Sequence, residues 1–314
     1  RYSCNIKCLI MRNRLKTGTA ACLLVALVAI SACKKKDDSS EANLIFKFRF
    51  DSTQQRLDNF GNPAVLATNH GALSPVFNTM SSHYIELAPT AFTQLGSGAV
   101  LYRNNETTQG GDNAIVFSES VLAGNNEEFF RIPFKNITPG TYQYLRVSLA
   151  YQNYDITFGA NILGTAYPNL KGTVASFIGF NSFINSFKIK DSTVTLNANR
   201  KQGYWAFETL NQNYPFPGFL PPVISGQAPA GATTVPNPLA STSPIPTGSC
   251  VVTGLFSVPF VVTGNETSDK MITVSISTNK SFEWVEHSTP GVYEPANGDT
   301  VVDMGVRGLI PIIN

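Results

Sequence analysis

The side chains able to do chemistry are few. Three histidines occur, His70, His83 and His287. A metal site needs two or more ligands at compatible spacing. The best-spaced pair is Met80 and His83 in the stretch Met80-Ser81-Ser82-His83. A soft thioether beside a borderline imidazole is a combination that suits copper. The competing reading is structural: in a strand over 83–88, His83 shares a face with Ile85 and Leu87 and is a core-edge histidine. No HExxH, GxSxG, CxxC or P-loop pattern occurs, so the sequence lacks the common signatures of metal hydrolysis, a nucleophile elbow, dithiol exchange and phosphate cradling. Glycoside cleavage needs two carboxylates at a defined separation in a cleft, and the acidic residues here are scattered. Trp205 in GYWAFE and Trp284 in SFEWVE are candidate sugar-stacking platforms. Both alternate with other aromatics in strand-like runs, which is also how core residues are arranged.

Two loop signals follow. Glu286–Glu294 (EHSTPGVYE) is similar to calcium loops of the DxNxDGxxE type, with Glu286, Ser288, Gly291 and Glu294 at matching places. Pro290 stands where an acidic ligand is expected. Calcium takes six to eight oxygens, and this loop is short of them, so a plain turn competes. Asp51-Ser52-Thr53, Asp191-Ser192-Thr193 and Asp299-Thr300-Val301 each resemble a short O-glycosylation pattern of some Gram-negative envelopes. That makes Ser52, Ser192 and Thr300 candidate modification sites.

These residues must be positioned by strands. Leu44, Phe46, Phe48 and Phe50 fall on one face of Leu44–Phe50, with Lys47 and Arg49 on the other, the period of a half-buried strand. Tyr142–Tyr151, Thr193–Ala198 and Met271–Ser277 alternate in the same way. Val251–Val262 is apolar on both faces and predicts a central strand, with Pro259 marking a bulge or break. Phe177, Phe180, Ile184 and Phe187 have helical spacing, but Gly179 and the intervening Asn and Ser residues favour strand or loop. The 24 glycines and 19 prolines supply turns. Residues 215–248 hold nine of those prolines and read as a long surface loop or an interdomain linker. Since about 65 residues after it are thin for a separate sheet domain, the expectation is all-β: one antiparallel β-sandwich over 44–314 with a long Pro-rich loop.

The N-terminus reads as an address. Residues 1–10 precede Met11, the expected start, and are set aside. Arg12, Arg14 and Lys16 lead into an apolar run from Ala20 to Ile30, about half the roughly 20 residues of a membrane span. This is a secretory signal layout. Its ending, Ile30-Ser31-Ala32-Cys33, resembles the lipobox of bacterial lipoproteins. That resemblance implies cleavage of 1–32, acylation of Cys33 and a tether over 33–43. The following Lys34-Lys35-Lys36-Asp37-Asp38 is similar to signals that send Gram-negative lipoproteins to the cell surface of the outer membrane, and a plain solvated tether on a periplasm-facing anchor is the competing reading. The expected partner is therefore the membrane, through the lipid anchor. Of five cysteines, Cys4, Cys8 and Cys22 precede the cut, which leaves Cys250 alone as an inert thiol. The chain carries +2 overall, but five of its 23 basic residues precede Cys33 and none of its 21 acidic ones does. A mildly acidic body does not suit nucleic acid.

LIFKFRFD at 44–51, MSSHYIELA at 80–88 and PGTYQYLRVSLAY at 139–151 together resemble the methanobactin-associated (MbnP-like) family. Its members are exported β-sandwich proteins, some of them copper-binding. The chain departs from that family in its Pro-rich insert and its few histidines. The functional expectation is a non-enzymatic, surface-displayed lipoprotein that binds through loops on a rigid scaffold. The alternatives are a copper- or calcium-handling protein of the MbnP-like kind, and a carbohydrate-binding or carbohydrate-active accessory protein.

Overall fold

The protein is described by a computed structural model over residues 41–210, 223–228, 237, 239, 241 and 243–314. The signal region, Cys33, most of the tether and most of 215–248 lie outside the described residues. Strands β1 (Asn43–Asp51), β2 (His70–Leu73), β3 (Val76–Ala88), β4 (Ala99–Arg103), β5 (Glu106–Thr107) and β6 (Ala114–Val116) come first. Next are β7 (Glu128–Pro133), β8 (Gly140–Ile162), β9 (Thr165–Phe177), β10 (Asn181–Lys188), β11 (Thr193–Lys201) and β12 (Tyr204–Thr209). The last are β13 (Ile224–Gln227), β14 (Cys250–Val262), β15 (Lys270–Ser277), β16 (Phe282–Val285), β17 (Thr300–Asp303) and β18 (Leu309–Ile313). The described residues hold no α-helix, only short 3₁₀ turns.

The expected all-β sandwich is what the chain forms. Its largest sheet runs β13-β12-β9-β8-β3-β4, and β14 also pairs with β8. The 23-residue β8 organises it. The first half of β8 pairs with β14, from Gly140 to Leu149, and the second half pairs with β9, from Tyr151 to Ile162. A four-stranded sheet, β18-β15-β1-β7, lies against one face of this large sheet. The alternation in β1 has its expected result: Leu44, Phe46 and Phe48 are fully buried in the main core with Ile272, Val274 and Ile276 of β15. A second apolar cluster, around Phe177, Tyr151 and Ala206, joins the opposite face to a sheet of order β11-β10-β6-β5. The third small sheet is β17-β16-β2.

Four features depart from the expected pattern. Two pairings are parallel, β1 with β15 and β6 with β10. In β8 residues 145–154 are buried without alternation, because both faces of this stretch are covered. Arg146 is fully buried and donates to the carbonyls of Ala91 and Thr93. β14 is not central: its ladder partner among the described strands is β8, and Leu255, Val258 and Val261 are exposed. The register slips between Leu255 and Phe260, around Pro259, whose missing N–H suits an edge. Finally, the Pro-rich segment is not all surface. It contributes β13, and Ile245 is fully buried against Tyr84, Leu95 and Val251. Residues of the helical-looking run Phe177–Phe187 fall in β9 and β10.

Candidate functional site

Beyond the reach of the four-stranded sheet, the second half of β8 encloses a cavity with β9, β12 and β13. Its volume is about 630 Å³, within the range of small-molecule sites. β8 contributes Ile156, Phe158, Ala160 and Ile162 to the floor; β9 adds Leu170 and Val174. Trp205, Phe207 and Thr209 come from β12, and Ile224 and Gln227 from β13. The roof is the connection between β16 and β17, through Tyr293, Pro295, Ala296 and Asp299, and then Thr300 and Val301 of β17. Alternation explains the floor. Phe158, Ala160 and Ile162, like Trp205, Phe207 and Thr209, are spaced by two and point to one side of the sheet.

Close packing holds the aromatic walls. Phe158 and Phe207 meet edge to face at 5.4 Å. A Cβ on Gly172 would lie 2.1 Å from the Phe207 ring, and one on Gly226 would lie 2.9 Å from the Trp205 indole. Both rings thus occupy space over a neighbouring strand that only glycine leaves free. Tyr293 packs on Phe282 at 5.0 Å and on Trp284 at 5.4 Å.

The roof is fixed by its own carboxylates. Asp299 accepts hydrogen bonds from the backbone N–H of His287 (2.8 Å) and Glu294 (2.7 Å) and from Ser288 Oγ (2.9 Å). Glu286 accepts from Gly291 N–H (2.8 Å) and from the Trp284 indole N–H (3.2 Å). Glu294 accepts from Thr289 N–H (3.1 Å), and hydrogen bonds from Thr289 hold its pKa below the ordinary value. The ladder between β8 and β9 slips at Gly159, whose N–H instead donates to Tyr293 O at 2.7 Å. That bulge fastens roof to floor. The 286–294 loop therefore surrounds its carboxylates with donors, whereas calcium requires converging oxygens. Here it is a carboxylate-capped turn.

The other predicted residues are dispersed. Met80 lies in the main core. The register slips on both sides of Ser82, and His83, fully buried rather than at a core edge, turns to Phe180 (5.4 Å, edge-on) and to Glu106 (Nε2 to Oε1, 3.1 Å). Among the described residues no group of three or more His, Cys, Asp and Glu is arranged to hold a metal ion. Trp284 is fully buried, while Trp205 is half-buried at the cavity. Ser52 and Thr300 are exposed; the Ser192 hydroxyl donates to Glu208 at 3.0 Å. Cys250 is a buried free thiol, pushed up to about 12 by burial.

Sequence reasoning missed two groupings. One is the cavity, whose lining comes from strands and a loop scattered over 156–304. The other is a buried ionic cluster on Glu283. His70 Nδ1 (2.5 Å), Arg56 (2.7 Å) and Arg307 (2.8 Å) converge on its carboxylate, and Arg307 also pairs with Asp303. Burial favours neutral Glu283, but hydrogen bonds from His70, Arg56 and Arg307 outweigh it and lower its pKa. Only the spacing of Asp303 and Arg307 was local enough to hint at this. Compared with known proteins, the chain matches no family model, no curated protein and no solved structure.

Proposed function

We propose that the protein is a lipid-anchored, non-enzymatic binding module of the bacterial envelope whose β-sandwich takes a small apolar ligand. The cavity carries this reading. A space of about 630 Å³ walled by Phe158, Phe207, Trp205 and Tyr293 offers a large area for apolar burial, roughly 25 cal/mol per Å² removed from water. Few polar groups line it, and the floor strands are held by ladders to their neighbours, with the one slip at Gly159 tied to Tyr293 O, so the site is pre-formed and loses little freedom on binding. A sugar ligand would need many more hydrogen-bonding partners than Thr209, Gln227 and Thr300 provide. The outer-membrane, surface-facing address rests on the signal and lipobox pattern ending at Cys33.

The test is native mass spectrometry of the protein purified from envelopes in mild detergent, followed by solvent extraction. The expected result is a co-purifying apolar molecule that disappears in Ala160→Trp, where the indole fills the floor, and in Ala296→Trp at the roof. Equal recovery from folded wild type and both variants would remove the cavity reading. The address is checked separately. Cys33→Ser is expected to leave an unacylated, uncut precursor in intact-mass spectra, and an acylated product from that variant would overturn the anchor.

A further inference from the structure

We infer that the cavity selects uncharged apolar molecules and rejects anionic ones, with Asp299 as the residue that sets this preference. This rests on the cavity being the ligand site. Among the described lining residues Asp299 is the one charged side chain; no Lys, Arg or His lines the space. Its carboxylate is buried, with 5% of the residue exposed. The groups that hold it are all neutral: two backbone N–H groups and the Ser288 hydroxyl. Such donors satisfy the carboxylate oxygens but bring no compensating positive charge. The roof adds Glu286 and Glu294, also held by neutral donors.

The field of Asp299 already reaches the wall. The Tyr293 phenol is pushed up to about 12, by burial first and then by the Asp299 charge. A ligand carboxylate, sulfonate or phosphate inside this low-dielectric space would meet the same repulsion and find no cation to offset it. A neutral molecule meets none. Thr209, Gln227 and Thr300 leave room for one or two hydroxyl or carbonyl groups on an otherwise apolar body. The ligand class is therefore neutral hydrophobic molecules, such as alcohols, esters or fused-ring hydrocarbons, and not free fatty acids.

Two fluorescent probes that differ by one charge test this. N-phenyl-1-naphthylamine is neutral, and 1-anilinonaphthalene-8-sulfonate is the same skeleton bearing an anion. The wild-type protein is expected to bind the neutral probe about tenfold or more tighter, since like charges brought together are strongly unfavourable. Asp299→Asn is expected to shrink that ratio severalfold. Thr300→Lys, at an exposed lining position, is expected to shrink it by tightening the sulfonate; this variant leaves the hydrogen bonds to Asp299 intact. A ratio near one, or a ratio that neither variant moves, overturns the selectivity. In that case loss of both probes in Ala160→Trp would keep the cavity reading. Absence of binding by either probe overturns the selectivity and the cavity reading together.

Discussion

Several buried or half-buried charges among the described residues are paired, unlike Asp299 with its neutral donors, and the pairs shape the response to acid. Glu106 shows the balance most directly. Burial alone would raise its pKa, but hydrogen bonds from His83, Asn113 and Arg103 outweigh that and hold it at about 2, against an ordinary 4.5. A carboxyl depressed in the folded state stabilises the fold fully above its unfolded pKa. The contribution is lost as pH falls through the folded value. The wild type should therefore lose stability between about pH 4.5 and pH 2 from this group. Glu106→Gln is expected to lower stability at neutral pH by about 2–3 kcal/mol and to flatten the dependence in that window. Urea midpoints measured across pH check both. Local spacing hints at Arg103 with Glu106, but not at the partners that come from distant strands. Glu106 lies 23 residues from His83, and the two meet because β5 lies where the bulged part of β3 turns its imidazole. Met80 and His83 show the converse. Their spacing suggested a shared ligand pair, but slips in register around Ser82 sent the two side chains to different surroundings.

The strands were legible where one face met the core and the other met water. β1 and β11 follow their alternation, and β15 does so only up to Val274, since Ser275 and Ser277 are buried too. β8 and β14 do not, for opposite reasons. β8 is covered on both faces over residues 145–154, so polar residues such as Arg146 are buried with carbonyl partners. β14 looks central by composition yet leaves Leu255, Val258 and Val261 exposed, since apolarity cannot distinguish a covered face from an uncovered one. The cavity depends on an element-level fit of the same kind. Phe207 occupies the space over Gly172 on the adjacent strand. Gly172→Ala puts a methyl group 2.1 Å from that ring, so the ring must leave its seat. The expected outcome is a loss of about 1–3 kcal/mol in stability, together with weaker binding of N-phenyl-1-naphthylamine. Thermal denaturation and probe titration on the same sample separate the two effects.

Pairings between segments distant in sequence close the described residues into one body. Leu44 of β1 pairs with Lys270 of β15, and β14 pairs with β8 across the Pro-rich segment. Ser40–Asn314 accordingly clusters as one compact unit. A chain ended after Val262 would lack β15 and β18 and strip Ile272, Val274 and Ile276 from the core around Leu44, Phe46 and Phe48. It is expected not to fold, with near-UV circular dichroism lost and proteolysis rapid; a protease-resistant fragment of that length would contradict this. Pairings of such sequence separation also predict folding in milliseconds to seconds or slower, which stopped-flow refolding would show. By itself the sequence determined the all-β class and the faces of several strands, because a period of two is written locally in each segment. It also carries the signal and lipobox pattern that motivates the envelope proposal. Only the tertiary structure decided where the cavity lies, which carboxylates are buried with partners, and which apolar strand stays at an edge. Those outcomes depend on which distant segments become neighbours, and no local pattern encodes the coverage of a face by residues a hundred or more positions away.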